Sequence, residues 1–305
     1  MSKPFLRFED GRIVIDNKEI MVNSANLSIN PSLNQNRVYG NYDAQLRGAK
    51  TEFVDFSPGN NLAGKLSISF YISAETFAEN GNPNNVSRIF DIKRGMNEAP
   101  INNNIVGRYS FDNMFLRSFS FNLRPYSLLE ASAEYDIYGT IHREVDRFFV
   151  KNDVNFAHAL KSFGRMEVGT APVGNAIDRR FEIAGMSFNI NVERKINNAI
   201  RANENTAVNT TADGPIPFRV SVEQIESEMN VESNEIIDDL NVYGSQQKST
   251  VVNKDQTSKI VAYLYSLQQQ RIARFEVDGK IMNQSVNISE NSLAKSAITV
   301  REVIK

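Results

Sequence analysis

Apolar and polar residues alternate most regularly between Ile105 and Gly139, on both sides of a break at Arg124-Pro125. In the first segment Arg117 is the only interruption of an apolar face formed by Phe115, Phe119, Phe121 and Leu123. In the second segment the apolar members are Ala131, Ala133, Tyr135 and Ile137. A period of two is typical of strands with one buried and one solvated face. The pattern predicts an antiparallel hairpin.

The same alternation predicts further strands along the chain. The longest clean example runs from Leu62 to Ile72, and a shorter one covers Ala25 to Ile29. Further predicted strand segments are Ile89–Ile92, Phe181–Val192, Phe218–Val222, Ile260–Tyr265, Arg274–Val277 and the residues around Val286, Ile288, Ile298 and Val300. Asp16-Asn17-Lys18 and Asp278-Gly279 carry the residues of hairpin turns.

Helical spacing is rare. Ile141, Val145, Phe148 and Phe149 lie at such spacing within Thr140–Phe149, which predicts a helix continuing brokenly to Phe163. The acidic segment Glu223–Leu240 is also interpreted as helical in parts.

Two long polar segments interrupt the strands in similar places. Residues 31–61 and 194–217 each separate two alternating segments, and loops of that length are functional or disordered more often than structural. We therefore predict a mainly β chain of two tandem antiparallel β-sandwich or open-barrel domains, with a few short helices. The predicted domains are residues 1–160, with the arm 31–61, and 161–305, with the arm 194–217; the join lies near Asn152–Gly174.

Composition narrows the possible functions. The 305 residues are 41% hydrophobic and 23% charged, and the net charge of -2 argues against non-specific nucleic-acid binding. The chain has no cysteine and two histidines, His142 and His158, which leaves little for thiol or histidine chemistry. The N-terminal residues form no secretory signal and no membrane-length apolar run occurs, so we expect a soluble protein made in the cytosol of the cell that translates it. No cofactor and no metal is expected.

Two acidic groups are candidates for chemistry. Glu130, Glu134 and Asp136 share one strand face, and they could cut glycosidic bonds, solvate the sheet, or repel the phosphates of passing nucleic acid. A second cluster consists of Glu226, Glu228, Glu232, Glu235, Asp238 and Asp239. It lacks the spacing of an EF-hand and is interpreted as a solvated helix face or an anionic surface.

The first half resembles the tube domain of long-tailed bacteriophages, shared by tail tube and baseplate hub proteins. The resemblance rests on VNSANLSINPSLNQNRVYG, FSPGNNLAGKLSISFYI, IVGRYSFDNMFLRSFSFNL and ASAEYDIYG in this order, and it extends more faintly over Phe181–Ile304. It implies a β-sandwich or open barrel with a long hairpin arm, whose subunits join their sheets edge to edge in a ring that conducts DNA. Two such domains in one chain imply a trimeric ring of sixfold appearance; a hexamer stays open.

The expected function is therefore a virion structural protein without enzymatic activity, a bacteriophage tail tube subunit. A baseplate hub or tube initiator, a carbohydrate- or receptor-binding β-sandwich, and a glycoside hydrolase are the alternatives. The expected partners are copies of the chain in stacked rings, other tail proteins and unbound passing DNA, with no membrane. The expected lumen residues are Glu130, Glu134 and Asp136. The expected inter-subunit arm contacts are Arg37, Tyr39, Tyr42, Phe53, Phe56, Arg194, Lys195 and Arg201.

Overall fold

The structure is a computed structural model, and it is mainly β, as the alternating pattern predicts. It describes residues 13–20, 22–29, 33–40, 51–58, 62–72, 78–79, 82–91, 93–124, 129–143, 159–168, 177–198, 218–234, 257–266, 271–288 and 295–305.

The described part of the first half contains strands and one short helix, α1 (Arg94–Glu98). The strands are β1 (Ile13–Ile15), β2 (Lys18–Glu19), β3 (Val22–Ile29), β4 (Leu33–Gly40), β5 (Thr51–Pro58), β6 (Leu62–Tyr71), β7 (Ala78–Glu79), β8 (Asn82–Val86), β9 (Asn104–Val106), β10 (Tyr109–Phe111), β11 (Met114–Leu123), β12 (Glu130–Tyr138) and β13 (Ile141–Arg143). Those of the second half are β14 (Ala159–Val168), β15 (Ile177–Asn198), β16 (Phe218–Ser233), β17 (Thr257–Ser266), β18 (Arg271–Asn287) and β19 (Lys295–Ile304).

The second half forms a closed circuit of antiparallel strands. The circuit runs β14-β17-β18-β19-β16-β15 and returns to β14 through the β14–β15 pairing. Closure leaves few unpaired strand edges, which is the usual reason for a barrel.

The first half repeats this circuit with two of its strands interrupted. β1 pairs with β9 and β9 with β10, while β11 pairs with β12, β12 with β6 and β6 with β3. β2 is followed directly by β3 along the chain, and β10 directly by β11, so each pair acts as one interrupted strand. The pairing of β1 with β2 therefore closes the circuit. Thus β1, β2–β3, β6, β9, β10–β11 and β12 correspond in order to β14, β15, β16, β17, β18 and β19.

The correspondence extends to individual residue pairs. Leu116 lies opposite Tyr135 directly before a bulge at Arg117, and Ile281 lies opposite Val300 directly before a bulge at Met282. β3 and β15 likewise each contain a bulge, at Asn23 and Ala184. β-Bulges insert one extra residue and fix the register of a ladder, so matched bulges indicate matched backbones. The two halves therefore share strand order, pairing and register.

The two circuits are joined side by side into one sheet. β11 pairs antiparallel with β15 over six residue pairs, from Ser118 opposite Asn191 to Leu123 opposite Met186. The core continues across this junction, where the rings of Phe121 and Phe188 lie 5.6 Å apart and Phe275 lies 4.4 Å from Phe121. The domain boundary near residue 160 stays a prediction. The proposed join at Asn152–Gly174 does contain a strand, β14.

Several local predictions were wrong. The helix predicted at Thr140 begins instead as strand β13, and its extension toward Phe163 overlaps strand β14; residues 144–158 lie outside the described part. The segment 223–233 is strand because its acidic residues alternate with buried Ile225, Met229 and Val231, which is a period of two. Glu226, Glu228 and Glu232 thus line a strand, while Glu235, Asp238 and Asp239 lie outside the described residues.

Two apolar segments were also misassigned. Ile89 and Phe90 are buried in a turn rather than a strand, with the Phe90 amide donating to the Ser87 carbonyl. Asp278-Gly279 lies inside β18, paired with Ser258 and Lys259, and is not a hairpin turn. The predicted turn at Asp16-Asn17 is confirmed, and both residues have the positive φ that such turns require.

The bulges explain why two apolar faces break. Because Arg117 is the extra residue, Met114, Leu116, Phe119 and Phe121 enter the main core while Phe115 lies in a separate small cluster. A register shift between Ile137 and Tyr138 likewise places Leu62 against that small cluster and not with Leu66.

Candidate functional site

The solvated face of the sheet is polar across both halves. Along β12 the predicted lumen residues Glu130, Glu134 and Asp136 alternate with buried Ala131, Ala133 and Tyr135. Residues that lie opposite each other on paired strands share a face. One such row is Ser69, Ser132, Ser120, Asn189, Glu228 and Arg301. The face therefore runs from β6 to β19 through the junction of the two halves, and we call it the polar face.

Glu130 is held in place at the β3 side of the polar face. Its Oε1 accepts hydrogen bonds from Ser69 Oγ at 2.6 Å and from Asn23 Nδ2 at 2.9 Å. These bonds favour the charged form and lower the pKa of Glu130, the Ser69 bond contributing most. Glu130 is thus an ionised acceptor and is poorly suited to donate a proton to a leaving group.

Asp136 differs from the other two carboxylates because it is half-buried. Burial raises its pKa, against the opposing effects of Arg117, Lys65 and Arg194. Arg117 Nη1 lies 3.9 Å from Asp136 Oδ1. Glu130 and Glu134, in contrast, are exposed.

Arg194 lies within β15, not in the polar segment predicted to begin there. Its guanidinium lies 5.5 Å from the centre of the Phe115 ring, and Nη2 donates to the Asn97 side chain at 3.4 Å. Burial lowers its pKa to about 10, partly opposed by Tyr138 and Asp136. These contacts join α1, β11 and β15 within one chain, so Arg194 belongs to the junction of the two halves.

The other predicted arm residues divide between described and undescribed positions. Arg37 and Tyr39 lie on β4, and Phe53 and Phe56 lie on β5; the two strands form a ribbon that is a sheet of its own. Lys195 is an exposed residue of β15. Tyr42 and Arg201 lie outside the described residues, as do positions 199–217 of the second arm. An inter-subunit role for any of them stays a prediction.

A groove of about 950 Å³ crosses the polar face at the junction. Its charged lining residues are Arg124, Glu130 and Glu232, from three different strands or strand ends. The Ser120 and Ser132 hydroxyls, 2.8 Å apart, also line it, together with Asn122, Ser187 and Asn230. Such a lining can form hydrogen bonds with a hydroxyl-rich or amide-rich molecule.

Among the strand edges without a described partner are those of β3 and of the later part of β18. β3 pairs only with β6, and β18 pairs with β17 through residues 271–280 but has no described partner on that side from 281 onward. Exposed apolar side chains concentrate there: Ile29 is 43% exposed, Val286 46% and Ile288 74%. Contiguous exposed apolar groups beside an open edge are typical of an interaction site.

The alternation of apolar and polar residues did not predict these edges. The residues that form them were assigned to strands, but an unpaired edge depends on which strands are neighbours. The available signal was the apolar character of Val286 and Ile288 beside Asn287 and Asn283 in a polar segment.

Known proteins give no further guide to the site. No family model matches the chain, and no curated protein matches it either. In the described part of the chain, no helix is long and apolar enough to span a membrane. Across those same residues, no three His, Asp or Glu side chains are grouped so that they could hold a metal ion.

Proposed function

We propose that this protein is a ring-forming structural subunit of a bacteriophage tail tube. The observation that carries the proposal is the β11–β15 junction, where two matched strand circuits in one chain share a continuous sheet. A module that joins a copy of itself side by side, and leaves one free edge at each end, extends into a ring or a filament.

The polar face fits a channel wall in this proposal. It is continuous across the junction, carries exposed Glu130, Glu134, Glu228 and Glu232, and belongs to the same sheet that would close the ring. The exposed carboxylates of this face do not adsorb phosphates, because nucleic-acid affinity depends on cations that neutralise the phosphates.

The β4–β5 ribbon fits the contact between successive rings. Its strands pair with each other and with no other described strand. A projecting two-stranded ribbon can reach a neighbour above or below without disturbing the barrel.

Electron microscopy of the purified protein tests the proposal. Annular particles roughly 100 Å across, single or stacked, are expected, this being an order-of-magnitude size for rings of such domains. Mass photometry of the same sample should give a multiple of the chain mass, 34.4 kDa. A monodisperse monomer at high concentration would count against the proposal, and six chains per ring in place of three would change only the stoichiometry.

A saccharide-binding role at the tail tip is a second candidate, favoured by the groove at the junction. Its serine, asparagine, arginine and glutamate side chains are those that bind sugar hydroxyls. A glycan array with Glu232→Ala as the control separates the two: binding that the substitution abolishes supports the second role, and no binding removes it.

A further inference from the structure

The internal junction predicts how the free edges pair. In the junction, β11 of the first circuit pairs with β15 of the second, and each strand has a counterpart that has no described partner strand on the same side. The counterpart of β11 is the later part of β18, and the counterpart of β15 is β3. The chain therefore contains one example of this contact at the internal junction. The two equivalent surfaces recur on β3 and β18, where no described strand covers them.

The bulges give the residue register of that contact. Phe121 follows the bulge at Arg117 at the same distance as Val286 follows the bulge at Met282. Phe188 follows the bulge at Ala184 at the same distance as Leu27 follows the bulge at Asn23. Because Phe121 lies opposite Phe188, Val286 should lie opposite Leu27.

We propose that β18 of one copy pairs antiparallel with β3 of the next copy, with Val286 opposite Leu27 and Ile288 opposite Ala25. The proposal rests on the ring-forming function and adds to it the contacting residues and their register. The pairing is head to tail, so every copy presents β3 to one neighbour and β18 to the other.

Burial supports this register. In the internal junction Phe121, Leu123 and Ile190 are 3%, 2% and 1% exposed, whereas their counterparts Val286, Ile288 and Ile29 are exposed at the free edges. Pairing in this register removes those three side chains from water together. Their burial is a favourable contribution in every contact around a ring.

The bulge residue provides an internal control. Met282 is 57% exposed and corresponds to Arg117, a charged residue that has no partner in β15. Met282 should therefore remain outside the contact, although it lies on the same strand as Val286.

Disulfide trapping tests the register, since the chain has no native cysteine. The double variant L27C/V286C should form covalent ladders of the chain under oxidising conditions, because directly opposed strand residues meet disulfide geometry. The matched variant L27C/M282C should remain monomeric on the same denaturing gel. Circular dichroism of both reduced variants establishes that each is folded.

A charge at the edge tests the same contact without a cross-link. Val286→Lys should abolish species larger than the monomer in mass photometry, whereas Met282→Lys should leave them unchanged. Rings that persist in Val286→Lys, or cross-link only in L27C/M282C, would overturn the register and leave the ring-forming function standing. Open filaments that cross-link through L27C/V286C would support the register and overturn the ring. A wild-type chain that stays monomeric would overturn both.

Discussion

At the residue scale, Gly279 shows that a glycine typical of a turn can be required for close packing of two strands instead. A Cβ at this position would lie 2.1 Å from the Arg301 carbonyl oxygen, so β18 can cross β19 there only without a side chain. Gly279→Ala should lower the free energy of unfolding by roughly 2–4 kcal/mol, measured by urea denaturation. Gly95→Ala is the control, because no atom lies within 4 Å of its Cβ position. Equal stability of the two variants would mean that β18 and β19 do not approach so closely.

The pKa of Asp136 predicts a pH-dependent stability. Its folded-state pKa is raised above the ordinary value of 3.8 for aspartate, so the charged form destabilises the folded state at neutral pH. Asp136→Asn should therefore be more stable than the wild type at about pH 7, and the difference should disappear as pH falls well below 3.8. Urea denaturation at several pH values measures this; a variant that is less stable at neutral pH would show that the Arg117 and Lys65 charges outweigh burial.

The pKa shift of Glu130 has the opposite sign to that of Asp136. The folded-state pKa of Glu130 is lowered below 4.5, so its contribution to stability is present above that value and is lost as pH falls through the folded pKa. Ser69→Ala should move the Glu130 pKa upward toward its ordinary value, as measured by carboxyl-carbon NMR titration. Ser67→Ala, on the same strand and face, should leave it unchanged. Equal shifts in both variants would argue against the Ser69 hydrogen bond as the main cause.

At the element scale, alternation predicted the strands whose period is uninterrupted. β6, β12 and β15 were found from sequence because buried and exposed residues alternate through most of their length. β11 was found as a strand but its face was misassigned. Arg117 was noted as an interruption of one apolar face, whereas it is the extra residue of a bulge, and a bulge depends on the pairing with β12. The first part of β16, Phe218–Val222, was predicted as a strand, whereas residues 223–233 were predicted as helical in parts because their acidic residues suggested a solvated helix face.

The β4–β5 ribbon provides a prediction about a whole element. Because Ile29 lies opposite Gly64, a short Gly-Ser link can replace residues 33–58 without separating β3 from β6. The shortened chain should keep its melting temperature within about 3 °C, since the ribbon shares no ladder with the barrel strands. Electron microscopy should show single rings and no stacks. Full-length tubes from this variant would exclude the ribbon from ring stacking, and an unfolded chain would show that the barrel depends on it.

At the scale of the whole molecule, the matched halves could be predicted only as a similar order of strands and arms. Their ladders agree residue for residue, but the residues differ: Phe70 corresponds to Ser233, and Ile137 corresponds to Glu302. Backbone hydrogen bonds and bulges fix the register of a ladder, and they tolerate such exchanges of side chain. Residue identity between the two halves therefore does not reveal the repeat. For the same reason the three carboxylates of β12 were predictable from sequence, whereas the row that joins Ser132 to Glu228 and Arg301 was not.

The polar face as a whole predicts weak interaction with DNA, and its charge can be reversed where the side chains are exposed. Glu134, Glu228 and Glu232 are suitable, whereas Glu130 is hydrogen-bonded and Asp136 is half-buried. The triple lysine variant should bind duplex DNA in an electrophoretic mobility assay, and the wild type should not. With about three phosphates neutralised, the affinity should fall roughly 40-fold between about 50 and 200 mM salt. The triple glutamine variant is the control: it removes the same negative charges without adding positive ones, and it should not bind. If the glutamine variant bound as well as the lysine variant, repulsion by these carboxylates would be the dominant effect. If the lysine variant failed to bind while remaining folded, the polar face would not be accessible to DNA and could not form the wall of a channel.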